Sequence, residues 1–199
     1  MPVGLWTARL ERPLTERESE RLLALLPPQR RERLLRAKDP ERRREPLCAY
    51  LLLQLALWET YGWKKLPEMS TTSQGKPLFP EHPDVHFNLS HTGGAVMVGV
   101  SDQPIGVDIE RIRPVSLRSM QRLAGVSTEE SFFQCWVRRE ARAKRSGTGV
   151  GTMLRSETPL QYGEYYYEIE TFPGYAAGAA TRSREAPGQI RRFSLDELT

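Results

Sequence analysis

The spacing of apolar residues changes along this chain, and that change limits the possible folds more than any other feature. Between Leu14 and Tyr61 apolar residues recur at helical intervals, and Pro27-Pro28 interrupts the pattern. From Val85 onwards they fall in short segments with the period of strands. Helices followed by strands, and then one more helix and two more strands, are typical of the α+β class.

The same pattern predicts the individual elements. We expect helices over 14–26, 30–38, 47–61 and 128–145. We expect strands over 3–10, 85–89, 95–100, 105–111, 164–172 and 175–181. Thr15 and Thr128 are the expected N-caps, and Glu18 completes a capping box with Thr15. The chain after Arg182 is polar, and we expect a loose tail there.

Positive charge is concentrated in one segment. The net charge is +4, and residues 30–44 hold eight basic residues against three acidic ones. Such a cluster suits a polyanion, although a solvated helical face explains any single arginine in it equally well. A nucleic-acid partner is not favoured, because no aromatic residues for base stacking lie among the charges.

The sequence predicts no membrane segment. The longest apolar stretch, Leu47 to Trp58, is interrupted by Gln54 and is too short to cross a bilayer. Residues 1–12 lack the apolar core of a signal peptide and carry charges early. We therefore expect a cytoplasmic protein.

Two carboxylates stand two residues apart in the segment Gly106-Val107-Asp108-Ile109-Glu110. In a strand, such residues share one face, with about 6.5–7 Å between them, so Asp108 and Glu110 could share a hard cation such as Mg²⁺. A pair of exposed acids on a strand surface is the alternative.

Trp136, Glu140 and Lys144 recur every four residues and form one stripe on the predicted helix. Glu140 and Lys144 could be an ordinary surface salt bridge. The remaining arginines make this helix strongly basic, which suits a phosphorylated ligand nearby: Arg138, Arg139, Arg142 and Arg145.

Other short motifs say little by themselves. Ser90-His91 lies at a strand end. Two adjacent residues rarely have the geometry of a nucleophile and its base, and no G-x-S-x-G nucleophile elbow surrounds Ser90. Gly75-Lys76-Pro77 reads as a loop, and Gly147-Thr148-Gly149 is not a phosphate-binding P-loop.

The order of the motifs is more informative than any one of them. Five occur in sequence: Gly75-Lys76-Pro77, Phe87-Asn88-Leu89-Ser90-His91, Gly106-Val107-Asp108-Ile109-Glu110, Trp136-x-x-x-Glu140-Ala141-x-x-Lys144 and Gly147-x-Gly149. This arrangement closely resembles the surfactin type of 4′-phosphopantetheinyl transferase. The resemblance implies two similar α+β halves, residues 1–104 and 105–199, related by a pseudo-twofold axis with the active site between them.

The resemblance also implies the chemistry. The enzyme would move the 4′-phosphopantetheine arm of coenzyme A onto a serine of an apo carrier protein, releasing adenosine 3′,5′-bisphosphate. Asp108, Glu110 and Glu140 would hold Mg²⁺, or Mn²⁺, with the pyrophosphate, and Lys144 would contact the phosphates. Either Glu140 or a metal-bound hydroxide would be the base. Residues implied at the 3′-phosphoadenosine end are Arg30, Arg33, Arg44, Lys76, Ser90 and His91. Glu129, or its neighbour Glu130, matches a further acid.

Two departures from the family pattern concern Arg139 and the segment after Glu110. Arg139 stands where the family usually has lysine, and arginine cannot donate a proton in the same way. The connection from Glu110 to Trp136 is short, and in the family this segment helps to dock the carrier. The carrier could therefore belong to a peptide synthetase, a polyketide synthase or fatty-acid synthesis. We expect a monomer, and a catalytically silent coenzyme A-binding protein of the same fold is the alternative.

Overall fold

Two β-sheets and six helices make up the part of the chain that the computed structural model describes, residues 3–147 and 158–199. A two-stranded ribbon accompanies them. The strands are β1 (Gly4–Arg9), β2 (Ser70–Thr71), β3 (Pro77–Leu78), β4 (His86–Thr92), β5 (Ala95–Ser101), β6 (Gly106–Arg111), β7 (Tyr165–Glu168), β8 (Tyr175–Thr181) and β9 (Arg191–Ser194). The helices are α1 (Glu16–Ala24), α2 (Pro28–Leu35), α3 (Glu41–Tyr61), α4 (Leu117–Ala124), α5 (Glu129–Ser146) and α6 (Leu195–Leu198). The α+β class predicted from the sequence is confirmed, whereas Thr148 and Gly149 of the last motif lie outside the described residues.

The first sheet has the strand order β4-β5-β1-β9. Successive residues of its central strands face opposite sides, so Ala8 and Val98 meet the helices α1 to α3 while Leu5 and Met97 meet the second sheet. Helix α3 carries apolar residues on most of its surface and is buried over much of its length. It begins six residues before the predicted start, because Pro46 in its second turn removes only one backbone hydrogen bond.

The second sheet has the order β6-β8-β7, and α5 packs on β6 and β8. Gly106 makes this packing possible: a Cβ atom there would lie 2.0 Å from the carbonyl oxygen of Ala141 and 2.3 Å from the amide of Arg145. The missing side chain therefore lets the C-terminal half of α5 lie directly on the strand that carries the carboxylate pair.

Side chains, instead of a backbone ladder, hold β6 beside β4. The amide of Val107 donates to Asn88 Oδ1 at 2.9 Å, and the amide of Ile109 donates to Ser90 Oγ at 3.3 Å. Asn88 and Ser90 are both buried, so each satisfies a backbone donor that would otherwise lack a partner. These two bonds fix the position of Asp108 between them.

The expectation of a loose tail after Arg182 is wrong. β9 pairs in parallel with β1, with Trp6 opposite Arg191 and Arg9 opposite Ser194, and Leu195 at the start of α6 is 1% exposed. Backbone pairing and one buried leucine therefore outweigh the polar composition. β7 is also shorter than predicted, and the sequence analysis did not find α4 or β9. The division of the chain near residue 104, and the pseudo-twofold relation, stay predictions.

No helix in the described ranges combines the length and apolar character that a bilayer span requires.

Candidate functional site

The site is built around the end of β4, where two neighbouring side chains point in opposite directions. Ser90 is 5% exposed and contacts β6 and α5, whereas His91 contacts α3 on the other side. This alternation follows from strand geometry. One short motif therefore contributes to two different environments, a carboxylate cluster and an arginine-lined cavity.

Asp108 is the centre of the carboxylate cluster. Its Oδ1 atom accepts a hydrogen bond from Ser90 Oγ at 2.8 Å and lies 2.6 Å from the ammonium of Lys144. Lys144 also donates to Ser90 Oγ at 3.0 Å. Three side chains from β4, β6 and α5 thus meet at one buried point.

The second oxygen of Asp108 has no hydrogen-bond partner among residues 3–147 and 158–199. Oδ2 is buried and makes no hydrogen bond to any residue that the structure describes. Burial raises the pKa of Asp108, while the Lys144 ammonium and the Ser90 hydroxyl act in the opposite direction. An orphaned carboxylate oxygen beside other carboxylates is a donor suited to a hard cation.

Glu110 and Glu140 are the two other carboxylates whose charges act on this cluster. Glu110 accepts hydrogen bonds from Thr92 Oγ1 at 3.2 Å and from Arg113 Nη1 at 2.8 Å. Glu140 Oε2 lies 3.9 Å from the Lys144 nitrogen. Burial raises the pKa of Glu140, and the charges of Asp108 and Glu110 add to this effect while Lys144 opposes it.

The three carboxylates do not form a closed ligand cage in this arrangement. Within residues 3–147 and 158–199, no group of three Asp, Glu, His or Cys side chains is gathered closely enough to hold a metal ion. The ammonium of Lys144 approaches both Asp108 and Glu140, and its shorter contact is to Asp108. A simple surface pair of Glu140 with Lys144 therefore does not describe this helix.

The second environment is a cavity of about 330 Å³ between α2, α3 and the end of β4. Arg30, Arg33 and His91, for which the resemblance implies a role at the 3′-phosphoadenosine end, line it together with Arg42 and Tyr50. Arg30 is 6% exposed and donates to the carbonyl of Ser70 at 3.2 Å. A small, strongly cationic cavity with one aromatic wall suits a phosphorylated nucleoside.

The Lys76 ammonium lies between the start of β6 and the end of α5, not among the arginines that line the cavity. Its ammonium donates to the carbonyl oxygens of Ile105 at 3.1 Å and Arg145 at 3.0 Å. Burial, and then the charge of Arg145, lower its pKa to about 8. The side chain therefore ties the loop before β3 to the start of β6 and the last turn of α5.

Two further residues implied by the resemblance are not among those that line this cavity or contact Asp108. Arg44 pairs with Glu41 at 3.5 Å. Glu129 is the first residue of α5, eleven positions before Glu140. At a rise of 1.5 Å per residue the two are roughly 16 Å apart along the helix, so the structure does not bring Glu129 to the carboxylate cluster.

Most of the remaining arginines of α5 have structural partners, which corrects the expectation that they face a phosphorylated ligand. Arg142 forms a two-point ion pair with Glu164, at 3.0 Å and 2.9 Å, and Arg145 lies 3.3 Å from the same carboxylate. Arg139 donates to the carbonyl of Leu123 at 2.6 Å, where α4 ends. The charge of this part of the helix is used inside the protein.

Several residues of the site were not singled out from the sequence. Asn88 stands inside the recognised Phe87-to-His91 motif, where a polar residue in a buried strand was an available signal. Glu45 contacts His91 at 3.2 Å, and Tyr50 and Arg42 line the cavity. No local pattern distinguished Glu45 or Tyr50 from other residues of α3, whereas Arg42 belongs to the basic segment 30–44.

Comparison with known proteins gives matches along nearly the whole chain. The 4′-phosphopantetheinyl transferase Sfp of Bacillus subtilis (strain 168) is 30% identical over an alignment of 218 residues, which covers 95% of this chain and 96% of the relative. A further 4′-phosphopantetheinyl transferase of Bacillus subtilis is 29% identical and covers 94% and 85%. The 4′-phosphopantetheinyl transferase AcpT of Salmonella typhimurium (strain LT2) is 33% identical over 110 residues, which is 48% of this chain and 57% of the relative. No family model matches.

Proposed function

Because the chain belongs to the surfactin-type 4′-phosphopantetheinyl transferases, we propose that its two adjoining environments hold the two ends of one coenzyme A molecule. The enzyme transfers the 4′-phosphopantetheine group of coenzyme A to a serine of an apo carrier protein. Arg30, Arg33 and His91 bind the 3′-phosphoadenosine end, and the carboxylate cluster receives the pyrophosphate. Ser90 and His91, adjacent on one strand, connect the two parts.

Asp108 carries this proposal. Its buried Oδ2 atom has no hydrogen-bond partner in the described part of the chain, and an unsatisfied carboxylate oxygen is costly unless a ligand uses it. Together with Glu110 and Glu140 it supplies the oxygen ligands that Mg²⁺ prefers and that Mn²⁺ also accepts. When bound, the ion neutralises charge on the pyrophosphate.

The reaction is a displacement at phosphorus. The serine oxygen of the carrier forms a bond to the β-phosphorus, and the bond from that phosphorus to the bridging oxygen breaks. Adenosine 3′,5′-bisphosphate leaves with the bridging oxygen, and the serine proton passes to Glu140, directly or through water. Without a cation, burial and the charges of Asp108 and Glu110 raise the pKa of Glu140, whereas a bound Mg²⁺ would act in the opposite direction.

Lys144 stabilises the leaving group. Its ammonium is placed beside Asp108 and Ser90, within reach of phosphate oxygens at the same point. A fixed positive charge there stabilises the negative charge that develops on the departing nucleotide. Lys76 holds the loop before β3 through its contacts with Ile105 and Arg145, and so shapes the cavity without touching the phosphates.

The partner is an apo carrier protein, and we propose that the enzyme acts on it as a monomer. α2, the loop before β3, β4, β6 and α5 of one chain supply every residue assigned above, so no second copy is needed. Carrier domains of peptide synthetases, polyketide synthases and fatty-acid synthesis remain the candidate substrates. A cytoplasmic location stays a prediction.

The test is transfer itself. The protein is incubated with coenzyme A, Mg²⁺ and an apo carrier protein, and the carrier is weighed by mass spectrometry. We expect the carrier to gain the phosphopantetheine arm and EDTA to prevent the gain. Glu140→Gln should lower kcat about 100-fold or more while the melting temperature barely moves. The exposed Glu168→Gln is the matched control in the second sheet.

Two outcomes would contradict these assignments. Near-normal turnover of Glu140→Gln at saturating coenzyme A and metal would leave this residue a structural role only. Binding of coenzyme A by calorimetry, with no change in carrier mass, would identify a catalytically silent binding protein.

A further inference from the structure

Glu45, in the second turn of α3, connects the two elements that form one side of the arginine-lined cavity. Its Oε1 atom accepts a hydrogen bond from the amide of Gly94 at 2.8 Å, and its Oε2 atom lies 3.2 Å from Nδ1 of His91. Gly94 belongs to the β4–β5 turn, where it has a φ of 86° and a non-glycine residue would be strained. One carboxylate therefore holds both the histidine and the turn that follows it.

The charge of Glu45 is maintained by these contacts. The hydrogen bond with His91, together with the bond from the Gly94 amide, holds the pKa of Glu45 below its ordinary value despite burial. Arg44, its neighbour on α3, acts in the same direction. The group is ionised at neutral pH, and its partner His91 lines a cavity that also contains three arginines.

An ionised carboxylate beside an anion site needs a reason, because by itself it would repel the ligand. The contact between Glu45 and Nδ1 of His91 provides this reason. A carboxylate that accepts a hydrogen bond from Nδ1 keeps the proton on that nitrogen and fixes the plane of the ring. Nε2 is then the nitrogen through which His91 can meet a ligand in the cavity, beside Arg30 and Arg33. It donates to a phosphate oxygen when the ring is an imidazolium, which carries a proton on both nitrogens.

We propose that Glu45 is a positioning residue that aims His91 at the 3′-phosphate of coenzyme A and so sets the preference for the 3′-phosphorylated cofactor. The inference rests on the function proposed above for the cavity. Glu45 does not touch the phosphate in this account; its effect passes through the imidazole ring. The alternative is that Glu45 only anchors the Gly94 turn.

Calorimetry separates the two roles without requiring catalysis. The dissociation constants of coenzyme A and of 3′-dephospho-coenzyme A are measured for the wild type, Glu45→Ala and His91→Ala. The ratio of the two constants is the readout. Glu45→Ala should weaken binding of coenzyme A about tenfold, the value of one charge-assisted hydrogen bond, and change binding of the dephospho form by less than about twofold.

Two additional variants sharpen the measurement. Glu45→Gln should fall between the wild type and Glu45→Ala, because its single carbonyl oxygen can serve only one of the two N–H groups. Glu45→Ala combined with His91→Ala should show the ratio of His91→Ala alone, since the two residues act as a unit. Glu59→Gln is the matched control: it is also on α3, and it contacts Trp6 and Arg191 instead of the cavity.

The outcomes are distinct. A lowered preference in Glu45→Ala with a normal Glu59→Gln supports the proposal. Equal weakening of both ligands would assign Glu45 to the turn alone and overturn it. No change in either dissociation constant would also overturn it, and tighter binding of coenzyme A would overturn it by showing that repulsion outweighs orientation. If the wild type prefers coenzyme A but transfers no arm to the carrier, the proposed function fails while this inference stands.

Discussion

Two arginine-rich helical segments look alike in the sequence but differ in what their guanidinium groups contact. Residues 30–44 of α2 and α3 place Arg30, Arg33 and Arg42 around a cavity of about 330 Å³. Residues 138–145 of α5 direct Arg142 and Arg145 into the protein, where both meet Glu164. The arginines of the first segment line a cavity that we propose binds coenzyme A, whereas those of the second pair with a buried carboxylate.

The difference lies in a partner that is remote in sequence. Glu164 is 2% exposed, and hydrogen bonds from Arg142 and from the amide of Gln161 hold its pKa below the ordinary value despite burial. It stands 22 positions after Arg142, with no pattern linking them. Counting local charge therefore finds cationic segments but does not tell a binding surface from a buried ion pair.

The largest expected effect comes from breaking that buried cluster. Glu164→Gln removes the negative charge that pairs with Arg142, which is 1% exposed, and with Arg145. Removing one partner of a buried pair costs about 3–5 kcal/mol. For a chain of this size we expect the melting temperature to fall by roughly 10 °C, measured by circular dichroism.

The exposed Glu168→Gln on β7 is the control for this change and should unfold like the wild type. A shift of less than about 2 °C in Glu164→Gln would mean that the cluster contributes little to stability. The arginines of α5 would then contribute no more to folding stability than exposed arginines do, in spite of their burial.

The same comparison shows how far sequence reasoning reaches. Hydrophobic period and capping residues predicted α1, α3, α5 and the central strands, because these signals are local. β9 is four residues long, holds one aromatic residue and pairs with β1 at the other end of the chain, so no local signal exists for it. Motif order brought Asp108, Glu140 and Lys144 into one hypothesis, and in the structure Lys144 contacts both carboxylates. Glu45 and Glu164 were missed because their roles depend on partners distant in sequence.

A second variant tests the ligand-facing segment. Arg33 is exposed and lines the cavity, so Arg33→Ala should weaken binding of coenzyme A about tenfold or more, the value of a charge-assisted hydrogen bond. The free energy of unfolding should change by no more than about 0.5 kcal/mol, as is usual for an exposed side chain. Calorimetry and urea unfolding give the two values.

Arg31→Ala is the matched control, since Arg31 is exposed on the same helix two positions away. We expect its coenzyme A affinity to stay close to that of the wild type. Equal weakening in both variants would indicate that coenzyme A responds to the overall positive charge of α2 and not to specific contacts in the cavity.

The smallest effect concerns Lys76, which joins the loop beside the first segment to the end of the second. Its folded pKa of about 8 is below the ordinary 10.5. Between these values the unfolded chain carries an ammonium where the folded protein carries a neutral amine, so the unfolded state binds more protons. Stability must then rise with pH across this window, relative to Lys76→Met, and show no such dependence below about pH 7. Urea unfolding of both proteins at about pH 7 and about pH 10 measures the difference. A constant difference would mean that the carbonyl oxygens of Ile105 and Arg145 keep the ammonium charged in the fold. Coenzyme A affinity separates a structural role of this lysine from a role in ligand binding. If Lys76→Met changes the affinity at pH 7 by less than about threefold, the lysine only connects the loop before β3 to α5. A loss of about tenfold or more would show that the ammonium contacts the ligand.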